Sequence, residues 1–146
     1  MAAESELSTG VLLFIPYRAL EDRVFAALAE AGYDDLTPAQ ARVMQRIAPD
    51  GIRLTELAAQ AQITKQTAGF LVDQLEKAGY VERVPDPTDR RARLIRGADR
   101  AWSAKRVADA VVAEEERKWE AHLGPRRMRQ LRESLALLRE ITDPWA

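Results

Sequence analysis

The sequence predicts a mainly α-helical fold with one small β-hairpin, and three observations carry this prediction. Apolar residues recur at steps of three and four along most of the chain, which is helical spacing. Two runs past the middle, "YVERV" and "ARLIR", alternate as strands do on either side of a turn-forming segment. Glycine and proline separate the periodic segments. The predicted order is therefore four helices, a two-stranded hairpin and two further helices.

The first two helices are predicted from their periodicity and their end signals. Pro16 interrupts the apolar pattern of the first helix, so this helix either starts near Pro16 or is kinked there, and Gly32 ends it. Thr37 and Pro38 supply an N-cap and a first-turn proline for the second helix, which is expected to run to about Ile47.

The third and fourth helices are separated by a short break. "LTELAAQAQ" is expected to use Thr55 as its cap, and "KQTAGFLVDQLEKAG" follows the cap Thr64 and stops at Gly79. Eight apolar side chains are expected to pack these two helices together: Leu54, Leu57, Ala58, Ile63, Ala68, Leu71, Val72 and Leu75.

The last two helices flank a break at Gly124 and Pro125. Asp99 is expected to cap the long fifth helix, which runs to about Leu123. The sixth helix places four apolar side chains on one face: Met128, Leu131, Leu135 and Leu138. Helix, short turn, helix and β-hairpin in this order is the layout of a winged helix-turn-helix.

The predicted organisation is a single structural domain with three segments. An N-terminal dimerisation helix occupies residues 1–36, the winged helix-turn-helix occupies residues 37–97, and C-terminal dimerisation helices occupy residues 98–146. The apolar stripes of the terminal helices need a partner. One chain could bury them on itself, whereas an intertwined dimer buries more apolar surface.

Composition restricts the class of protein. The 146 residues carry a formal net charge of -1, and no apolar run reaches the length that a membrane helix needs. The residues before "VLLFIPY" are acidic, unlike those of a secretion signal. The absence of cysteine excludes disulfides, thiolate metal sites and thiol switches. A cytoplasmic protein without a membrane segment is expected.

The charge is unevenly distributed along the chain. Residues 64–106 carry ten Lys and Arg against six Asp and Glu, whereas residues 1–63 carry five against nine. A locally basic module suits an anionic partner, and an ordinary solvated surface is the alternative on charge alone.

The start of the fourth helix carries the first group of candidate binding residues. Gln66 has the amide geometry that pairs with adenine, Lys65 reaches guanine or phosphate, and Thr67 contacts a thymine methyl. Free N–H groups at a helix N-terminus also bind phosphate. The alternative is that these polar residues only cap a surface helix.

The tip of the hairpin carries the second group. Asp86 and Asp89 belong to strong turn chemistry and are expected to bracket an arginine and orient it. Arginines on a projecting loop insert into a narrow minor groove; here they are Arg90, Arg91 and Arg93. A surface ion-pair cluster is the alternative, but such pairs contribute only about 0–1 kcal/mol to stability.

No feature of the sequence indicates a catalytic site. His122 is the only histidine, and without cysteine a zinc site lacks its usual ligands. "GADRA" and "GPRRM" lack the glycine spacing of phosphate loops, and the carboxylate-rich stretches lie on solvated helix faces. We therefore expect no enzyme, no cofactor and no metal.

The segment "LTELAAQAQITKQTAGFLVDQLEKAGYVERVPDPTDRRARLI" resembles the core of the MarR (multiple antibiotic resistance regulator) family of bacterial transcription factors. The resemblance implies a homodimer with interleaved terminal helices that acts as a repressor on pseudo-palindromic double-stranded DNA. It also implies recognition helices in successive major grooves and wing arginines in the flanking minor grooves.

The resemblance also assigns roles to individual residues. Arg91 matches the wing-tip arginine that enters the minor groove, and Asp73 matches the aspartate that pairs with that arginine and positions it. Arg90 is then a phosphate contact or a second tip residue. The positions at which the family contacts DNA are Thr64, Lys65, Gln66 and Thr67.

Gly69 and Phe70 depart from the family pattern, which has small polar or basic residues there. Phe70 either offers an apolar contact, as to a thymine methyl, or packs inside the protein. Because these two residues weaken the match, a winged-helix protein-interaction module with weak or no DNA binding is the alternative function.

Members of the family commonly bind a small aromatic or phenolic effector in a cleft between the dimer helices and the winged module. The expected lining residues are Tyr17, Arg18 and Trp102, for which ordinary packing or surface charge is the alternative.

Overall fold

The computed structural model describes residues 6–145. It contains six helices and one hairpin in the predicted order: α1 (Thr9–Glu30), α2 (Pro38–Met44), α3 (Leu54–Ala61), α4 (Lys65–Lys77), β1 (Val81–Asp86), β2 (Asp89–Gly97), α5 (Asp99–Leu123) and α6 (Pro125–Thr142). The mainly helical fold class with a two-stranded antiparallel hairpin is therefore confirmed. None of these helices is both long enough and apolar enough to cross a membrane.

The chain forms two compact units. Residues 33–106 form one unit, here called the winged module, and the described parts of residues 1–32 and 107–146 form the other, here called the helical unit. Within the helical unit, the Arg23 Nε donates to Glu115 at 3.3 Å, which ties α1 to α5. Arg132 on α6 donates to Glu116 on α5 at 3.4 Å.

Helix α1 begins before the proline rather than at it. Ser8 is its N-cap, with a side chain that accepts the Val11 N–H at 3.2 Å, so Pro16 lies inside the helix. The alternative in which the helix starts near Pro16 is therefore wrong. A capped turn upstream offsets the backbone hydrogen bond that proline removes.

Two other helix ends differ from the prediction. Helix α2 stops at Met44 instead of about Ile47, and the following turn is closed by a bond of 3.1 Å from the Arg46 N–H to the Val43 carbonyl. Helix α3 is flanked by Arg53 as its N-cap rather than by Thr55, and no side chain caps it. Neither end has the local cap chemistry on which sequence reasoning relies.

The core of the winged module lies where α3, α4 and the hairpin meet. Five of the eight predicted packing residues are buried, while Leu54, Ile63 and Leu71 are partly exposed. Inward positions on α4 fall at Ala68, Val72 and Leu75, at helical steps of four and three. This spacing leaves the opposite face of α4 to solvent.

The strands reach further toward the wing tip than the alternating runs predicted. β1 pairs with β2 in antiparallel register from Val81 opposite Gly97 to Asp86 opposite Asp89, with an irregularity after Pro85. Proline fits there because an edge position needs no N–H donor. Ile52, which lies outside the two strands, exchanges backbone hydrogen bonds of 3.0 and 2.8 Å with Ile95 of β2, and these bonds fasten the segment before α3 to the hairpin.

A polar cluster around the buried Tyr80 links both ends of the winged module to the start of the hairpin. The fully buried Tyr80 donates its hydroxyl to Asp35 at 2.5 Å. Arg100 bonds the same carboxylate and stacks over the Tyr80 ring at 4.2 Å. The segment before α2 and the first turn of α5 are thereby tied to the strand start.

Gly69→Ala is expected to stabilise the winged module by about 0.5–1 kcal/mol, because glycine in a helix interior loses more backbone entropy than alanine. A Cβ at this position would lie 3.7 Å from Leu54 Cδ2, an ordinary contact. Denaturant unfolding of the two proteins tests this expectation. An unchanged or lower unfolding free energy would mean that Leu54 cannot accept the methyl group.

Candidate nucleic-acid interface

The N-terminal turn of α4 presents its polar side chains to solvent. Thr64 caps the helix by accepting the Thr67 N–H at 3.0 Å, and its hydroxyl bonds the Thr67 hydroxyl at 2.9 Å. Within residues 6–145, Lys65 and Gln66 form no side-chain hydrogen bond or ion pair. Their donors and acceptors are therefore available to an external partner.

Phe70 lies on this same outward face. Its side chain is 61% exposed, because the inward positions of α4 are taken by Ala68 and Val72. The alternative in which Phe70 packs inside is therefore wrong. The exposed surface of α4 thus combines an amide, an ammonium group and an aromatic ring.

The carboxylate of Asp86 organises the wing tip. Asp86 is only 7% exposed, although its neighbours in the turn are exposed. Its Oδ1 accepts the backbone N–H and the hydroxyl of Thr88, both at 2.8 Å. Asp89 accepts the Arg91 N–H at 3.0 Å. Each aspartate therefore holds backbone of the turn, in addition to any ion pair.

Arg53 is a contact of the wing that sequence reasoning missed. Its Nε donates to Asp86 Oδ2 at 2.8 Å, and its Nη2 lies 2.7 Å from the same oxygen. Nη2 also lies 3.8 Å from Asp89 Oδ2. The hydrogen bonds from Thr88 and then the Arg53 guanidinium hold the pKa of the Asp86 carboxyl below its usual range.

Asp73 does not pair with Arg91 as the resemblance implied. Its carboxylate accepts from Arg83 Nη2 at 2.7 Å, and Glu76 accepts from Nη1 of the same guanidinium at 2.8 Å. Arg83 lies on β1, seven residues past Glu76, and is the first basic residue after the end of α4. Asp73 therefore orients the base of the wing, not its tip.

The wing arginines Arg90, Arg91 and Arg93 are exposed. In the described part of the chain, none of their guanidinium groups has an acidic partner, since Arg53 lies against both wing aspartates. Arg91 and Arg93 share one face of β2 because side chains alternate along a strand. The wing thus carries positive charge that no acidic side chain of residues 6–145 neutralises.

The three residues predicted to line an effector cleft fall in different compact units. In the helical unit, Tyr17 donates its hydroxyl to Glu21 at 3.2 Å and Arg18 pairs with Asp22 at 3.4 Å. In the winged module, Trp102 donates its indole N–H to the Gly97 carbonyl at 3.2 Å. A cleft lined by all three residues stays a prediction.

Residues 6–145 contain no cluster of three or more His, Asp or Glu side chains that could hold a metal ion. His122 is exposed near the end of α5.

The chain is similar to known proteins in a family pattern and in its fold. Residues 34–92 match the model of the MarR family. No curated protein matches the chain. The transcriptional repressor CouR, solved bound to a 23-mer DNA duplex, is 27% identical with a TM-score of 0.68, over 92% of this chain and 93% of CouR.

Two further solved structures are similar. Transcriptional regulator Tm0710 from Thermotoga maritima is 25% identical with a TM-score of 0.65, over 90% of this chain and 92% of its own. RV1404 from Mycobacterium tuberculosis shares the fold with a TM-score of 0.74 at 24% identity, over 94% of this chain and 96% of its own. The matched segment contains the exposed α4 face and most of the wing. Residues 34–92 are therefore similar to the MarR family of transcriptional regulators, and the chain shares its fold with solved transcriptional regulators.

Proposed function

We propose that the protein binds double-stranded DNA in a sequence-specific manner and acts as a cytoplasmic repressor. The observation that carries this proposal is the winged module's combination of free polar groups at the α4 N-terminus with unneutralised arginines on the wing. Gln66 and Lys65 have the chemistry to read base edges in a major groove, and Arg91 has the chemistry to enter the adjacent minor groove. The DNA duplex bound to CouR supports this assignment.

The surface of the helical unit supports the proposal of a homodimer on a pseudo-palindromic operator. Large apolar side chains are exposed at consecutive positions of α1, including Leu12, Phe14 and Ile15. On α6, Leu137 is 64% and Ile141 is 83% exposed. A helix that is apolar on every side needs cover, and a second copy of the chain provides it. Recognition of two half-sites would require the two α4 helices of such a dimer to lie one DNA turn apart, about 34–36 Å.

Selection of DNA fragments by the purified protein, followed by binding titrations against salt, tests the proposal. We expect recovery of an inverted repeat, tight binding to it, and a log–log salt slope of about -0.9 for each phosphate neutralised. A slope near zero without sequence preference would exclude the DNA-binding function.

That negative result would favour the second candidate, a protein-interaction module. The exposed ring of Phe70 beside Gly69 is the observation in its favour, since aromatic side chains are enriched in protein interfaces. On DNA, the same ring meets the only apolar group in the major groove, the thymine methyl.

Phe70→Ala is expected to lower operator affinity by about three- to tenfold and to remove sensitivity to thymine methyl groups. Operators in which single thymines are replaced by uracil lack this methyl but keep the base pairing. The protein with Phe70 should lose affinity for one such operator, whereas the variant should bind the thymine and uracil operators equally. The affinities follow from fluorescence anisotropy titrations. Equal binding of both operators by the protein with Phe70 would assign the methyl contact elsewhere.

An effector of small aromatic or phenolic character would release the operator by changing the spacing of the two α4 helices. Tyr17, Arg18 and Trp102 are the proposed contacts for its ring and acidic group. Titration of the operator complex with phenolic carboxylates, comparing the protein with its Trp102→Phe variant, tests this assignment. Release that is unchanged in the variant would exclude Trp102 as a contact.

A further inference from the structure

Arg53 occupies an unusual position between α3 and the wing. It is the residue that precedes α3, yet its guanidinium reaches the tip of a hairpin more than thirty positions later in the chain. The neighbouring Ile52 already holds the hairpin through its backbone exchange with Ile95. Ile95 is opposite Arg83 in the register, and Asp86 lies about 10 Å further along β1. The segment before α3 therefore contacts the hairpin at two separate points, through the Ile52 backbone at Ile95 and through the Arg53 side chain at Asp86.

The two carboxylates that meet Arg53 face each other across the hairpin. Asp86 ends β1, Asp89 begins β2, and the two are register partners on either side of the turn. Like charges placed opposite each other on a hairpin are destabilising. With Nη2 at 2.7 Å from Asp86 and 3.8 Å from Asp89, the guanidinium offsets both charges.

Neutralisation of Asp86 and Asp89 by Arg53 also determines whether the wing arginines are free to bind a phosphate or a minor groove. Along the chain, the cations nearest to Asp89 are Arg90 and Arg91, whereas Arg83, the nearest to Asp86, is already paired with Asp73 and Glu76. A wing arginine held by its own aspartates would have to be released before it could meet a phosphate or a minor groove. Arg53 thus serves as a substitute partner that leaves the wing arginines free.

We propose that Arg53 is a positioning residue for DNA recognition, which clamps the wing tip to α3 and takes up the charge of Asp86 and Asp89 so that Arg91 faces the DNA unpaired. This proposal rests on the proposed DNA-binding function. Arg53 acts through the wing and does not itself need to contact DNA.

The contact of Arg53 with Asp86 and Asp89, here called the clamp, is expected to slow hydrogen exchange at the wing tip, which is measurable without DNA. The Thr88 N–H donates to Asp86 in the turn that Arg53 fastens. Arg53→Ala is expected to raise hydrogen exchange of this amide severalfold. Arg96→Ala is the matched control, because Arg96 is a hairpin arginine paired with Glu82 at 2.6 Å, away from the tip. Unchanged exchange in Arg53→Ala would overturn the clamp, whether or not the protein binds DNA.

The effect on DNA is tested by a double-mutant cycle with the selected operator. Arg53→Ala alone is expected to weaken binding on the order of tenfold, as the wing then has to be ordered and its arginines freed on binding. In an Arg91→Ala background it should cause little further loss, since both changes act on the same contact. The salt slope of Arg53→Ala should stay unchanged.

A rescue variant separates charge capture from simple loss of structure. Asp89→Asn removes the charge and keeps the amide oxygen that can accept the Arg91 N–H. Added to Arg53→Ala, it is expected to recover threefold or more of the lost affinity. Equal losses from Arg53→Ala with and without Arg91, or a salt slope reduced by about 0.9 for each copy of Arg53 removed, would instead make Arg53 a direct phosphate contact and overturn the proposal. If the unmodified protein binds no DNA but Arg53→Ala raises the hydrogen exchange of the Thr88 amide, the clamp is confirmed and the proposed DNA-binding function is wrong.

Discussion

Arg91→Ala is expected to weaken operator binding roughly a hundredfold while the protein stays folded and dimeric. Each of the two copies in a dimer would lose about 1–2 kcal/mol of arginine contact with the minor groove, and the two losses add. The guanidinium of Arg91 has no acidic partner among the described residues, so its removal breaks no ion pair of the fold. Anisotropy titrations with the selected operator measure the loss.

Arg96→Ala is the matched control for this prediction. Arg96 lies on the same strand and is also exposed, but its guanidinium is paired with Glu82. We expect its replacement to change operator affinity less than threefold. A similar loss in both variants would mean that general positive charge, and not the wing tip, accounts for the affinity. Loss of helix content in Arg91→Ala would make the arginine structural.

Sequence reasoning located the elements of the winged module because their signals are local. The α4 helix begins after Thr64, as predicted, since a threonine side chain that accepts an N–H three residues later is encoded within one turn. The apolar steps that bury Ala68, Val72 and Leu75 are likewise encoded within a single helix. The same steps left the exposure of Phe70 undecided, and only the packed arrangement of α4 resolved it.

Local signals of this kind do not predict the ion-pair partners of the charged residues. Arg53 and Asp86 are 33 positions apart, and no spacing rule links a residue before α3 to a hairpin tip. Asp73 was given the wrong partner for the same reason. Arg83 and Arg91 are both arginines in the hairpin region, and only the path of β1 beside α4 selects Arg83. Ion pairs between distant segments depend on the fold itself, which residue types alone do not specify.

The second large effect is expected at the apolar surface of α1. Phe14→Glu should raise the dimer dissociation constant at least a hundredfold, about 3 kcal/mol, because a dimer that covers this surface would bury one carboxylate from each copy. Operator affinity should fall with it, since a monomer reaches only one half-site. Sedimentation velocity over a range of concentrations measures the dissociation constant.

Phe14→Leu separates an apolar contact from a specific one. Leucine keeps an apolar side chain at the same position and favours helix, so this variant should remain dimeric and bind the operator within a few fold of the unmodified protein. Circular dichroism of both variants checks that α1 remains helical. If Phe14→Glu sediments as a dimer of unchanged affinity, the copies meet elsewhere and the exposed apolar side chains of α1 serve another partner. If it dissociates while still binding the full operator tightly, the winged module recognises DNA as a monomer, and the pseudo-palindromic operator is the part of the proposal that fails.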